Sequence, residues 1–247
     1  YSAPSQALAA ATDGDTIAVQ AGTYTDCMYI TKNNITVTGV GGMAKMTGRV
    51  CGQKGIIVTA GRDLVIQNME LYGVSNGENY AGIRHDAAGF NLTLDNVYIH
   101  DNDDGILSSS SGDTILITNS KFERNGMNSS TGYAHNLYIG HSALITFRNS
   151  QSLRTKLGGH LLKSRAQKTV IDGSVLATLD GEDSRNLDVS IGGDVVITNS
   201  VLEKGPYSQN NELIGYAPEG ASNGATSFVM TGNTVIEDRG SGPVVYF

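Results

Sequence analysis

One short pattern recurs along the chain: a run of alternating apolar and polar residues that closes on Asn or Gly. It reads Leu64-Val-Ile-Gln-Asn68, Leu92-Thr-Leu-Asp-Asn96, Ile115-Leu-Ile-Thr-Asn119 and Ile145-Thr-Phe-Arg-Asn149. It continues as Thr169-Val-Ile-Asp-Gly173, Val195-Val-Ile-Thr-Asn199 and Val229-Met-Thr-Gly-Asn233. Alternation with period two predicts strands. The closing residues lie 23 to 34 residues apart, with no helical stretch between them. A strand repeat of that length predicts a β-solenoid in which each coil pairs with the next. Asn suits a left-handed corner and can stack from coil to coil. The alternative, a β-sandwich of hairpins, lacks the Asn-Gly turns it would need.

A second strand family lies within each coil. Its apolar members Ile83, Ile106, Leu137, Leu162, Leu187 and Ile214 are placed inward. Parity then sends Arg84, Leu107, Tyr138, Lys163, Asp188 and Gly215 outward as one column. A second outward column is Asp86, Ser109, Gly140, Arg165, Ser190 and Ala217. Neighbours in a column are about 4.8 Å apart. Residues Pro4–Ala11 read as a short helix plugging the open end, and Gly14–Tyr24 as the first strand. The expectation is an all-β chain: a single-stranded right-handed parallel β-helix of about eight coils, one domain over residues 1–247.

The composition agrees. Gly is 31 of 247 residues, Pro only 4, and Trp is absent. The net charge is −7, which disfavours nucleic acid and anionic membranes as partners. No apolar run approaches the ~18 residues of a membrane span. Cys27 and Cys51 are either buried thiols or one bridge. Their spacing of 24 is one coil length, which favours a bridge between adjacent coils and an exported protein. The chain opens at Tyr1 without Met, as a processed protein would.

The stretch Pro4-Ser-Gln-Ala … Gly14-Asp-Thr-Ile-Ala-Val-Gln-Ala-Gly-Thr-Tyr24 resembles the first coil of bacterial exported β-helix proteins of the pectate-lyase-like superfamily. Tyr133-Ala-His135-Asn136-Leu-Tyr138-Ile-Gly, with Gly159-His160-Leu-Leu-Lys163-Ser164-Arg165-Ala166, is similar to a proteobacterial branch of these repeat proteins. The resemblance implies a secreted or periplasmic, monomeric protein whose partner is an acidic polysaccharide. The Lys163-Ser164 pair looks like the Lys-Ser strand of alginate and chondroitin lyases, where the lysine acts as base. Those families imply an Arg on the next coil; here that coil offers Asp188, and the nearest Arg is Arg165 on the same strand. Their acidic calcium ligands have no clear match, so calcium is possible and no cofactor is assigned.

Elimination at a uronate needs a neutralised carboxylate, a base for the α-proton and an acid for the leaving oxygen. Arg165 or Arg84 can neutralise the carboxylate. Tyr138 and Lys163 can form the base and acid pair, with Asp188 beside them; a structural reading makes Lys163–Asp188 a cross-strand ion pair instead. The row Asp104, His135, His160, Arg185, Glu212 would point inward by parity. So many charges inside would be costly, so the row is read as a corner facing solvent or the cleft. There His135 is either a base or a turn residue, and Asn136 and His160 are candidate substrate contacts. His85 reads as a core histidine. His100-Asp101-Asn102-Asp103-Asp104-Gly105 is either a polar turn or a set of hard calcium ligands. Glu182 and Asp183 lie on a loop placed over the same face.

The leading expectation is a polysaccharide lyase. The runner-up is a glycoside hydrolase, which needs two carboxylates roughly 5–9.5 Å apart, whereas Asp104 and Asp188 lie about 14 Å apart along the coils. A non-catalytic glycan-binding β-helix is the third reading, though aromatic residues for sugar platforms are only 6%.

Overall fold

The computed structural model describes residues 1–127, 134–224 and 227–247. Tyr133, which opens one of the resembling stretches, lies outside the described residues. The architecture is the expected parallel β-helix with a short helix, Pro4–Ala10, at its N-terminal end. That helix begins on a proline and carries no basic residue in its last turn. Lys32 supplies the missing charge, its Nζ donating to the carbonyls of Leu8 (2.7 Å) and Ala9 (3.0 Å).

The first face stacks nine strands: Met28–Ile30, Gly55–Thr59, Ala81–His85, Asp104–Ser108, Leu137–Ile139, Leu162–Ser164, Leu187–Val189, Ile214–Tyr216 and Val245–Tyr246. The other two faces begin as one. Strands Thr16–Tyr24, Thr36–Thr47, Leu64–Tyr72 and Leu92–His100 run across both, and the sheet then divides into two ladders. The division falls at the recurrent closing residue. Asn68, Asn96, Asn119, Asn149 and Asn199 hold φ between +48° and +54°. Asn tolerates this left-handed conformation better than other non-glycine residues. Asn96 Nδ2 donates to Asn68 Oδ1 at 2.8 Å, the coil-to-coil stacking that the repeat predicted.

The last repeat is displaced by one from the sequence reading. Val195 pairs with Phe228, so Gly232, not Asn233, takes the corner at φ +70°. A Cβ at Gly232 would lie 2.8 Å from Asn199 Oδ1, so the glycine lets that asparagine sit close. Asn233 instead joins a buried row one step further on. Ser120, Ser150 and Ser174 each donate their backbone N–H to the hydroxyl of Ser150, Ser174 and Ser200, at 3.0–3.1 Å. Ser200 donates to Asn233 Oδ1 at 2.9 Å.

The interior is apolar along each strand, with Ile83, Ile106, Leu137, Leu162, Leu187 and Ile214 all at 0% exposure. Cys27 and Cys51 are disulfide-bonded, joining successive coils near the helix-capped end. Asn136 is not a surface residue. It is fully buried in a column with Asn102 and Asn125, where each backbone N–H is taken by the next side-chain oxygen at 3.1 Å. Asn136 Nδ2 donates to the Leu153 carbonyl (2.8 Å) and to Ser152 Oγ (3.0 Å). Its assignment as a substrate contact is therefore corrected: an amide with both ends bonded indoors reaches no ligand. Asn136→Ala leaves the Asn125 backbone N–H and one hydrogen of its Nδ2 without an acceptor. At about 1–3 kcal/mol per buried group, urea denaturation should show a loss of about 3 kcal/mol or more. An unchanged midpoint would restore the surface reading.

Candidate active-site cleft

The first face carries the candidate chemistry. Its outward column has the register read from parity: Arg84 pairs with Leu107, Leu107 with Tyr138, Tyr138 with Lys163, Lys163 with Asp188, and Asp188 with Gly215. A cleft of about 760 Å³ opens over the Arg84–Leu107–Tyr138 part of this column, lined also by Ser109, Met127 and His141 among others. Leu107 offers an apolar floor between a cation and a phenol.

At one end, Arg84 Nε donates to Asp86 Oδ1 at 2.8 Å, and Lys54 and Ser109 bind the same carboxylate. Burial pushes the Asp86 pKa up, but these donors outweigh it and hold it at about 2. At the other end, Arg165 joins Tyr138 to Glu219. Its Nη1 donates to the Tyr138 hydroxyl at 2.5 Å, and its guanidinium carbon lies 5.4 Å from the ring centroid. Burial raises the Tyr138 pKa and Arg165 opposes the rise, so the group stays a phenol.

Lys163 does not pair with Asp188. Its Nζ meets Glu219 Oε1 at 2.8 Å, while Arg165 Nη2 meets Glu219 Oε2 at 2.5 Å. Burial raises the Glu219 pKa, but the two cations bring it below the usual range. Asp188 is only 2% exposed. It is bound by Arg185 at 2.7 Å and by Ser190, with His160 Nε2 at 3.6 Å. It therefore faces outward by parity yet lies covered, and its place beside the reacting groups is corrected.

The row from Asp104 to Glu212 is the largest departure from the sequence reading. Asp104, His135 and His160 are buried, at 0%, 1% and 6% exposure. The expected cost is avoided because each is neutral or bonded to the next coil. Asp104 Oδ1 accepts the His135 N–H (2.8 Å), His135 Nδ1 the His160 N–H (2.9 Å), and His160 Nδ1 the Arg185 N–H (3.1 Å). Arg185 closes the row on Glu212. The imidazoles of His135 and His160 stack at 5.0 Å, and His135 stacks on Tyr138 at 5.8 Å. An Nδ1 that accepts a backbone N–H leaves the proton of the neutral ring on Nε2. His135 is thus a donor in this tautomer and not a base, and His160 is not a substrate contact.

The remaining candidates separate similarly. His85 is a core histidine, between Thr59 Oγ1 (2.7 Å) and Asp113 Oδ2 (3.2 Å). Asp183 is buried and accepts from Thr178 Oγ1 at 2.9 Å, while Glu182 lines a different groove with Arg124, Arg154 and Tyr207. Neither reaches the cleft lining. The carboxylates of residues 101–104 diverge. Asp101 binds Arg124, Asp103 takes the N–H groups of Asn76 and Tyr80, and Asp104 that of His135. They form a hydrogen-bonded turn, and among the described residues no three His, Cys, Asp or Glu side chains converge on a metal position. Sequence reasoning missed Glu219 and His141. Glu219 stands three residues past Tyr216, in a Pro-Glu-Gly turn that no periodicity places.

No family model matches the chain, and no curated protein matches it in sequence. Among solved structures it is similar to the pectate lyase Pel9A, with a TM-score of 0.63 and 17% identity, over 94% of this chain and 70% of that one. It is also similar to a pectin methylesterase from Yersinia enterocolitica, with a TM-score of 0.55 and 10% identity, over 95% of this chain and 90% of that one. At these identities the likeness is one of fold alone.

The buried row carries a pH dependence. Burial, then the neighbouring cationic positions, pushes both His135 and His160 well below the ordinary imidazole pKa. Below about pH 6.5 the unfolded chain binds protons that these rings refuse when folded. Stability should then fall with falling pH, by about 1.4 kcal/mol per pH unit for each histidine. Asp104 has the opposite sign: burial raises its pKa, so its contribution is present at low pH and is lost as pH rises through the folded value. It offsets one histidine where the windows overlap. Denaturant titrations across this range should show the slope, and His160→Gln should reduce it. Burial also raises the pKa of Asp183 and Glu203, which adds to the offset, so the check is the difference between the two proteins: equal slopes would mean that the His160 ring is protonated in the fold.

Proposed function

We propose that this chain is a polysaccharide lyase that cleaves a uronic-acid-containing glycan by β-elimination in the cleft over the first face. The observation that carries the reading is the Tyr138 hydroxyl held by Arg165 and adjacent in register to Lys163, with Arg84 two strands away across an apolar floor. An acidic chain thereby places three cations along one outward face, Arg84 in the cleft and Lys163 and Arg165 beyond its Tyr138 end, which favours an acidic glycan locally. The solved neighbours are named as a pectate lyase and a pectin methylesterase, which supports an acidic polysaccharide as the substrate class.

In this mechanism the Arg165 guanidinium takes the uronate carboxylate and stabilises the charge that develops when the α-proton leaves. Lys163, released from Glu219, gives up its own proton to solvent and then accepts the α-proton as the neutral amine. Tyr138, kept as a phenol by burial, donates to the glycosidic oxygen as the carbon–oxygen bond breaks and the double bond forms. Arg84 binds an adjoining sugar. The protein acts as a monomer outside the cytoplasm; a disulfide suits such an oxidising compartment, and among the described residues no helix is long and apolar enough to cross a membrane.

The test is a panel of acidic and neutral polysaccharides, followed for unsaturated-uronate absorbance and for new reducing ends. Both signals are expected. Reducing ends alone would indicate a hydrolase, and neither signal a glycan-binding protein. Lys163→Ala and Tyr138→Phe should each lower turnover about 10²–10⁴-fold. The melting temperature should barely move for Lys163→Ala, since a part-exposed ion pair is worth about 0–1 kcal/mol. Lys163→Arg should not rescue, because a guanidinium does not give up its proton. Recovery with Arg would make the position purely electrostatic.

A further inference from the structure

The contact that sequence reasoning did not foresee has a chemical meaning of its own. Glu219 divides one carboxylate between Lys163 and Arg165, the two cations assigned above to a substrate carboxylate and its α-proton. It does so from a turn fixed by other bonds. The Glu219 N–H donates to the Ser190 carbonyl at 2.9 Å, and Asn223 Nδ2 to the carbonyls of Arg165 (3.2 Å) and Ala166 (3.0 Å). None of these involves the carboxylate, whose side chain is 39% exposed. The side chain can therefore swing away while the turn stays in place.

The pairing also leaves Arg165 incompletely used. Its Nη1 is on Tyr138 and its Nη2 on Glu219, but its Nε is buried without an acceptor. Nε and Nη2 are the two donors of a guanidinium edge that a carboxylate takes bidentately. Glu219 engages one of them. A free carboxylate able to approach that edge squarely gains a second charge-assisted hydrogen bond that the tethered Glu219 does not make.

We propose that Glu219 is an internal stand-in for the substrate carboxylate, and that the glycan binds by placing its own uronate carboxylate on Arg165 in place of Glu219, which leaves Lys163 without its carboxylate partner. The inference rests on the reading of this cleft as a uronate site, and it fixes the substrate class further: an unesterified uronate. A methyl ester carries no charge and accepts too weakly to displace an ion-paired glutamate. Exchange also frees Lys163 from its carboxylate partner only when substrate is present.

The experiment is calorimetric titration of oligogalacturonate, oligomannuronate, oligoguluronate and oligoglucuronate, each with its methyl-esterified counterpart. The proteins are Tyr138→Phe, to suppress turnover, and the same protein with Glu219→Gln or Glu219→Ala. At least one free oligouronate should bind about two- to thirtyfold more tightly when Glu219 is replaced, the gain from two part-exposed ion pairs that need no longer be broken. The esterified counterparts should not gain. Thermal melts confirm folding, and Glu219→Gln preserves the side-chain volume if Glu219→Ala is poorly folded. Weaker binding in both variants would make Glu219 a substrate contact and overturn the proposal, as would no tighter binding of any free oligouronate. Tighter binding, with no unsaturated-uronate product from the wild-type protein carrying Tyr138, would keep the carboxylate exchange and discard the elimination. Activity without tighter binding would do the reverse.

Discussion

Every coil of this solenoid can satisfy its backbone only through the coils above and below it. The same pairing that closes the sheets also closes the corners, because the corner side chains take backbone N–H groups from the next coil. The Asn102–Asn125–Asn136 column, the Ser120-to-Ser200 row and the Asp104-to-Arg185 row are three versions of one device. Each places a polar acceptor inside the protein where a strand ends and the ladder would otherwise lapse. Buried polar groups are tolerable when bonded. Here they also fix the height of one coil against the next, and so the height of every outward side chain in the candidate site.

The parts of this arrangement that were legible from sequence are those governed by period two. Once Ile83, Ile106 and Leu137 are placed inward, Arg84, Leu107 and Tyr138 must share the other face, and the register bears this out. The Asn corners were legible because few residues hold φ near +50°. The coil-length spacing of Cys27 and Cys51 was legible for the same reason as the strands. Parity said that Asp104, His135 and His160 point inward, and the sequence reading set this aside on the cost of burying charge. The cost was misjudged, because the histidines are buried as neutral acceptors and not as ions. Sequence shows a titratable side chain but not the backbone donor waiting for it one coil away. Asn136 was misread for the same reason. Glu219 was invisible for another: its position depends on how a turn folds back across two coils, and turns have no period.

The two charge clusters near the cleft show how similar residues part company. Arg185 with Asp188 and Glu212, and Lys163 and Arg165 with Glu219, each combine guanidinium and carboxylate, the first within its own coil and the next, the second across two coils. Asp188 is covered, and its carboxylate is taken by Arg185 and Ser190. Removing one partner there would strand a buried charge, which is strongly unfavourable. Glu219 is part-exposed, so its pairs are screened by water and can be exchanged at little cost. A cation that must meet a ligand needs a partner of the second kind. The distinction is set by which strand or turn supplies the acid, and not by the kind of residue.

Tyr138 ties the buried rows to the cleft. Its backbone sits in the first face between Leu107 and Lys163, and its ring rests on His135, whose own ring is fixed by the His160 N–H. Its hydroxyl is set by Arg165 from the coil beyond. A phenol supported on one side by a stacked ring and at its tip by a guanidinium has little rotational freedom left. Such preorganisation is what a proton donor requires, because a misplacement of about an ångström can cost orders of magnitude in rate. The histidines that looked like chemistry in the sequence thus serve the cleft at one remove. As neutral rings they lay no charge beneath the phenol, and as backbone acceptors they hold it at the height where Lys163 and Arg165 stand.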